Sequence, residues 1–157
     1  MGGRVGEMAG AALRIRGKNF RIRGKNEAGQ PHGATSVLSE LDHIQIAMPR
    51  GEEARARDFY GRVLGLAEIE KPDNLKPRGG VWFELAGKQL HLGVDPDFRP
   101  ATKAHPAFGA PDLAGLRNRL AAEGFAIIDD ETLPGRERFY TADPFGNRIE
   151  FLKKIGP

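Results

Sequence analysis

The sequence contains no cysteine. That excludes a disulfide framework, a thiolate metal site and a cysteine nucleophile. No apolar run approaches the roughly 20 residues that a membrane helix needs. The first residues are rich in glycine and arginine but lack the apolar stretch of a secretory signal. Met1-Gly2-Gly3-Arg4-Val5-Gly6 also lacks the Ser or Thr of a myristoylation signal. The expectation is a soluble, cytoplasmic protein with no membrane partner. Histidine is scarce as well, with four copies, so where those four fall carries information.

At 157 residues the chain has room for one domain and a tail. A chain of this size buries roughly two-thirds of its unfolded surface. Its formal net charge is +3, but the charge is unevenly spread. Residues 1–36 carry seven Lys or Arg against two acids, whereas residues 37–157 carry seventeen against nineteen. The excess therefore belongs to the tail, and the remainder is nearly neutral. A nucleic-acid-binding domain carries its basic patch on the fold itself, so no nucleic-acid partner is expected.

Residues 1–37 read as a basic, glycine-rich and flexible N-terminal extension. Inside it the hexapeptide Arg14-Ile15-Arg16-Gly17-Lys18-Asn19 recurs unchanged as Arg21-Ile22-Arg23-Gly24-Lys25-Asn26. The repeat could contact phosphate or an acidic surface. The plainer reading is an extension with no structure of its own, and a short hairpin there could not be stable alone.

The globular part spans 38–157. Residues 41–48 alternate as a strand that Pro49 stops. Residues 51–64 predict a helix, with Ala56, Phe59, Tyr60, Val63 and Leu64 as its apolar stripe. Strands are predicted at 66–70, 81–86 and 89–93, with a Pro- and Gly-bearing loop at 71–80 and a turn at Gly87-Lys88. After a linker at 94–104 the order recurs. A strand at 105–110 is weakened by Pro106, and a helix from Leu113 to Glu123 is capped by Asp112. Strands follow at 125–129, 137–142 and 147–153, the last entered through the turn Asp143-Pro144-Phe145-Gly146. The fold class is thus α+β: two βαβββ modules, 38–94 and 104–154, with curved mixed sheets around a central cleft.

Matching the two modules element by element pairs His43 with His105 and His91 with Glu150. Each lies on a strand whose other face is apolar: Ile44 and Ile46, Leu90 and Leu92, Ile149 and Phe151. If the helices cover the apolar faces, His43, His91, His105 and Glu150 all point into the cleft. Gln45, Trp82, Glu84, Gln89, Tyr140 and Arg148 share that face by parity. Three imidazoles and a carboxylate suit Zn, Ni, Co, Mn or Fe(II), rather than Ca or Mg. Read singly, each residue has a plainer role: a half-buried histidine usually serves as a hydrogen-bonded side chain, and Glu150 could pair with Arg148 or Arg138. His91 reads equally as a fourth ligand or as a substrate contact.

Three segments carry a resemblance: Leu41-Asp42-His43-Ile44, Phe59-Tyr60-Gly61-Arg62-Val63-Leu64-Gly65-Leu66, and Asp143-Pro144-Phe145-Gly146-Asn147-Arg148-Ile149-Glu150. They resemble the vicinal oxygen chelate superfamily of glyoxalase I, bleomycin-resistance proteins, fosfomycin-resistance enzymes and extradiol dioxygenases. The resemblance covers about residues 38–154 and implies paired βαβββ modules around one cleft. It implies metal ligands at His43, His91, His105 and Glu150 in the glyoxalase manner, or His43, His105 and Glu150 in the fosfomycin-enzyme and dioxygenase manner. Glyoxalase I commonly has glutamate where this chain has His91. The resemblance also implies a homodimer, with cleft residues drawn from two subunits if modules are exchanged.

The expected function is a metal-dependent enzyme with lyase or isomerase chemistry on a small oxygenated metabolite. A divalent ion would polarise the substrate, and Glu150, His91 and Tyr140 would be the catalytic side chains. Two alternatives stand beside it: a non-haem Fe(II) dioxygenase and a small-molecule-binding resistance protein.

Overall fold

The computed structural model describes residues 36–131 and 133–155, together with the backbone of two short strands nearer the N-terminus. Most of the basic extension, including the second copy of the repeat, lies outside the described residues, and so does its expected flexibility. The chain divides into two compact units, Met1–Glu40 and Leu41–Pro157. In the first, β1 (Leu13–Ile15) and β2 (Lys18–Phe20) pair antiparallel, with Arg14 opposite Asn19.

The second unit opens with β3 (His43–Met48). The helix after it begins as an α-helical turn, α1 (Glu53–Ala56), and continues as a π-helix, Arg57–Val63. Phe59 and Tyr60, both completely buried, lie on this wider turn. The i to i−5 bond from Leu64 N to Phe59 O, at 2.9 Å, marks the wider spacing. Three strands complete the module: β4 (Glu68–Ile69), β5 (Val81–Leu85) and β6 (Lys88–Val94). The sheet runs β3-β6-β5-β4, with β3 parallel to β6 and the rest antiparallel.

Two local readings need correction here. The segment at 71–80 is not a plain loop, because Asp73–Arg78 forms a 3₁₀ helix. The hairpin turn falls on Ala86-Gly87, not Gly87-Lys88: Ala86 has φ +49° and Gly87 φ +78°. Two successive positive φ values are what the hand of a two-residue hairpin demands.

The second module contains β7 (Ala107–Gly109), α2 (Leu113–Ala122), β8 (Arg136–Ala142) and β9 (Arg148–Lys154). Its sheet order is β7-β9-β8, the order of the first sheet without the last member. Asp112 caps α2 by accepting from Gly115 N at 2.9 Å. The strand expected at 125–129 is reduced to one bridge between Ile128 and Tyr140. Beyond that rung Asp129 turns out to meet Arg117 at 2.6 Å, and the chain leaves the sheet. The strand expected at 105–110 is shorter, since His105 and Pro106 precede β7, though Pro106 O still accepts from Glu150 N at 3.0 Å.

Both sheets turn their apolar faces to the helices, and one buried cluster joins the modules. Ile46, Met48, Phe83, Leu90 and Leu92 meet Phe59 and Val63, and Phe108, Leu120, Phe139, Ile149 and Phe151 belong to the same core. Phe59 packs edge-on against Phe125, with ring centroids 4.7 Å apart. A polar hub seals the junction. Asp143 is 4% exposed. Its carboxylate accepts from Tyr60 Oη, Phe145 N, Asn147 N and Asn147 Nδ2, each at 2.9 Å. Asn147 also reaches Ala47 O on β3 at 2.9 Å and receives Ala101 N at 3.0 Å. The Asp143-Pro144-Phe145-Gly146-Asn147 segment thus fixes the linker, the first strand and the first helix together.

Candidate metal centre

The registers place the polar face of each sheet. Gln45 pairs with His91, His43 with Gln89, and Trp82 with His91, so these side chains share one face of the first sheet. His91 lies between two rings. Trp82 stacks on it with centroids 3.8 Å apart and planes 7° from parallel, and His43 lies at 4.4 Å. Gln89 Oε1 accepts from His91 Nε2 at 2.8 Å, which puts the proton on Nε2 and leaves Nδ1 bare. Burial, with the charge of His43 beside it, holds His91 below the usual histidine pKa. Glu84 is spent on the hairpin turn, accepting from Gly87 N at 2.7 Å.

On the second sheet Tyr140 pairs with Glu150. Glu150 is 6% exposed. His105 Nε2 stands 3.0 Å from Glu150 Oε2. His105 Nδ1 donates to Lys103 O at 2.8 Å. The Tyr140 ring meets His105 edge-on at 5.4 Å, and the Arg148 guanidinium lies 3.8 Å above the same ring. Arg138 completes the cluster: its Nη1 donates to Tyr140 Oη at 2.6 Å and reaches Glu150 Oε1 at 3.5 Å. Sequence reasoning named Arg138 only as an alternative partner for Glu150, and it lies two residues from Tyr140 on the same strand, where the same parity finds it. Asp42 was missed. Its Oδ1 accepts from His43 Nδ1 at 2.7 Å.

The four ligand candidates therefore form two pairs, His43 with His91 and His105 with Glu150. Among the described residues no three His, Asp or Glu side chains lie close enough to hold one ion. His43, His91, His105 and Glu150 are thus not gathered into one group of three or more among the described residues.

This arrangement of two modules, with polar positions at the first and fourth strands, can be set beside known proteins. The family model for the Glyoxalase/Bleomycin resistance protein/Dioxygenase superfamily matches residues 40–151. The chain belongs to this superfamily. A putative glyoxalase family protein from Bacillus anthracis is 44% identical, with a TM-score of 0.74 over 77% of this chain and 99% of that one. A lactoylglutathione lyase from Agrobacterium tumefaciens shares the glyoxalase fold at 22% identity and TM-score 0.58, covering 75% of this chain and 96% of its own. The fosfomycin resistance protein FosX from Listeria monocytogenes shares it at 17% identity and TM-score 0.61, covering 76% and 96%. No curated protein matches the chain. Among the described residues no helix is long and apolar enough to cross a membrane.

Proposed function

We propose that this glyoxalase-superfamily protein is a metal-dependent enzyme performing Lewis-acid lyase or isomerase chemistry on a small oxygenated metabolite. The observation that carries the reading is the His105–Glu150 pair. His105 Nδ1 donates to Lys103 O, and its Nε2 stands 3.0 Å from a buried carboxylate oxygen of Glu150. Two electron-rich atoms that close need a positive centre between them, either a proton or a cation. His43 is prepared in the same way, since donation to Asp42 leaves its Nε2 free to ligate. Two imidazole nitrogens and a carboxylate fit Zn, Ni, Co, Mn or Fe(II).

Because each chain separates the pairs, we place His43 of one subunit with His105 and Glu150 of another in a homodimer. When bound, the ion supplies polarisation of a substrate oxygen. The protein's own groups do the rest. Glu150 holds or gives a proton at its carboxylate, and His91 can take one at the bare Nδ1. Trp82, His91 and His43 form one stacked column of rings, and Arg138 keeps the Tyr140 hydroxyl oriented.

The test is elemental analysis of protein purified without added metal, for wild type, His105→Ala and Glu150→Ala, beside sedimentation equilibrium. Stoichiometric metal in a wild-type dimer, lost in both variants, is the expected result. Unchanged metal in both variants removes the site. Turnover that requires Fe(II) and consumes oxygen replaces this chemistry with the dioxygenase reading.

A further inference from the structure

Two cavities flank Gln45. The smaller, about 240 Å³, is bounded by Gln45, Lys71, Arg78, Trp82 and the β6 backbone around Gly93. The larger, about 440 Å³, is bounded by Gln45, Arg99, His105, Asn147 and Arg148 among others. Every Lys, Arg, Asp or Glu in either lining is a cation: Lys71 and Arg78 in one, Arg99 and Arg148 in the other. A third cavity, outside this face, has four carboxylates in its lining, Asp129, Asp130, Glu131 and Glu137. The absence of acids around Gln45 is therefore local, in a region whose overall charge is slightly negative.

The smaller cavity is the better formed. Lys71 Nζ donates to Gly79 O and sits 6.0 Å from the Trp82 ring centroid. An ammonium has three donors, so two remain. Among the described residues Arg78 has no carboxylate partner. Glu53, whose charge acts on Lys71, is turned to Gly80 N at 2.9 Å and does not line the cavity. Burial lowers the Lys71 pKa from its usual value, and the Arg78 charge adds to that against the pull of Glu53. Gln45 lies flat across β6 because position 93 is glycine: a Cβ there would meet Gln45 Nε2 at 2.8 Å. Two cations, an amide and an indole ring thus converge on a space the size of a small polar group, with no acid in its lining.

We propose that the substrate is an organic oxyanion whose carboxylate or phosphate group is held by Lys71 and Arg78 in the cavity beside Trp82. The proposal deepens the metalloenzyme reading and rests on it for what happens to the rest of the molecule. The anion subsite itself needs no ion. A guanidinium and an ammonium make charge-assisted hydrogen bonds to such a group, and Trp82 supplies a wall for the carbon skeleton.

Trp82 is the sole tryptophan of the chain, so the protein carries its own reporter. The full-length protein, stripped of metal with chelator, is titrated with sodium phosphate and separately with sodium acetate, with sodium chloride keeping ionic strength constant. A saturable change in Trp82 emission is expected with at least one oxyanion, and which one responds decides between the phosphate and carboxylate classes. Lys71→Gln and Arg78→Gln should each weaken that response about tenfold or more. Arg136→Gln, on the third cavity, should not. Matching thermal unfolding curves show that the variants are folded. A response to phosphate and acetate no greater than to chloride overturns the proposal, and so does wild-type affinity in both folded variants. Saturable binding by a protein that never holds metal leaves the subsite standing and removes only the metal reading.

Discussion

Tyr60→Phe tests the polar hub that joins the two modules. Tyr60 is fully buried and donates to Asp143 Oδ2 at 2.9 Å. Asp143 is charged and enclosed, and its four accepted hydrogen bonds stand in for water. Removing the hydroxyl leaves three donors and no wider space, since phenylalanine keeps the ring. A hydrogen bond to a charged group contributes about 1.5–3 kcal/mol net, and the surviving donors favour the lower half of that range, about 1.5–2 kcal/mol. Urea unfolding followed by circular dichroism at neutral pH measures it. The loss should appear in the midpoint, with the slope unchanged. The pH dependence gives a second handle. Burial and the Asp143 charge raise the Tyr60 pKa well above its ordinary 10.0. A group with a raised folded pKa contributes stability that is complete below its unfolded pKa and lost as pH climbs toward the folded one. Wild type should therefore lose stability above about pH 10 in excess of Tyr60→Phe, and the gap between them should close. A neutral-pH difference under about 0.5 kcal/mol would refute the view that this hydroxyl satisfies a buried carboxylate.

Two further substitutions probe backbone demands. Gly80 has φ +80°, and a Cβ there would lie 2.1 Å from Leu92 O on β6. Gly80→Ala should lower stability by at least about 2–3 kcal/mol in the same urea assay, because the obstructing atom is main chain in a paired strand. Ala86 takes the opposite sign. It holds φ +49° in an exposed hairpin turn, so Ala86→Asn or Ala86→Gly should raise stability by about 0.5–1 kcal/mol, read as a higher thermal midpoint.

Much of the architecture was legible because strand parity and helix spacing report burial directly. Ile44, Ile46, Leu90, Leu92, Ile149 and Phe151 all face the helices, and the alternate residues of the same strands form the polar faces. What parity cannot report is which sheet lies near which. It puts His43 and Glu150 on polar faces but is silent on the distance between those faces, and a single chain keeps them in separate pairs. The π-helix was hidden for a related reason, since its Phe59-Tyr60 step fits an α-helical stripe nearly as well. Lys71 and Arg78 were invisible because a 3₁₀ helix framed by glycines and prolines has no periodic pattern to read. Asp143 read as a turn residue. Its deeper role depends on Tyr60, 83 positions earlier, a separation that no local rule spans.

The hub has a bearing on how the duplicated halves can be taken apart. Cutting the chain in the linker would strand an ionised Asp143 in one fragment and its phenol donor in the other, while Asn147 would lose Ala47 as an acceptor. Neither fragment would then keep the repeat it inherits as a free-standing piece. Two such fragments mixed together should instead reassemble, each completing what the other lacks.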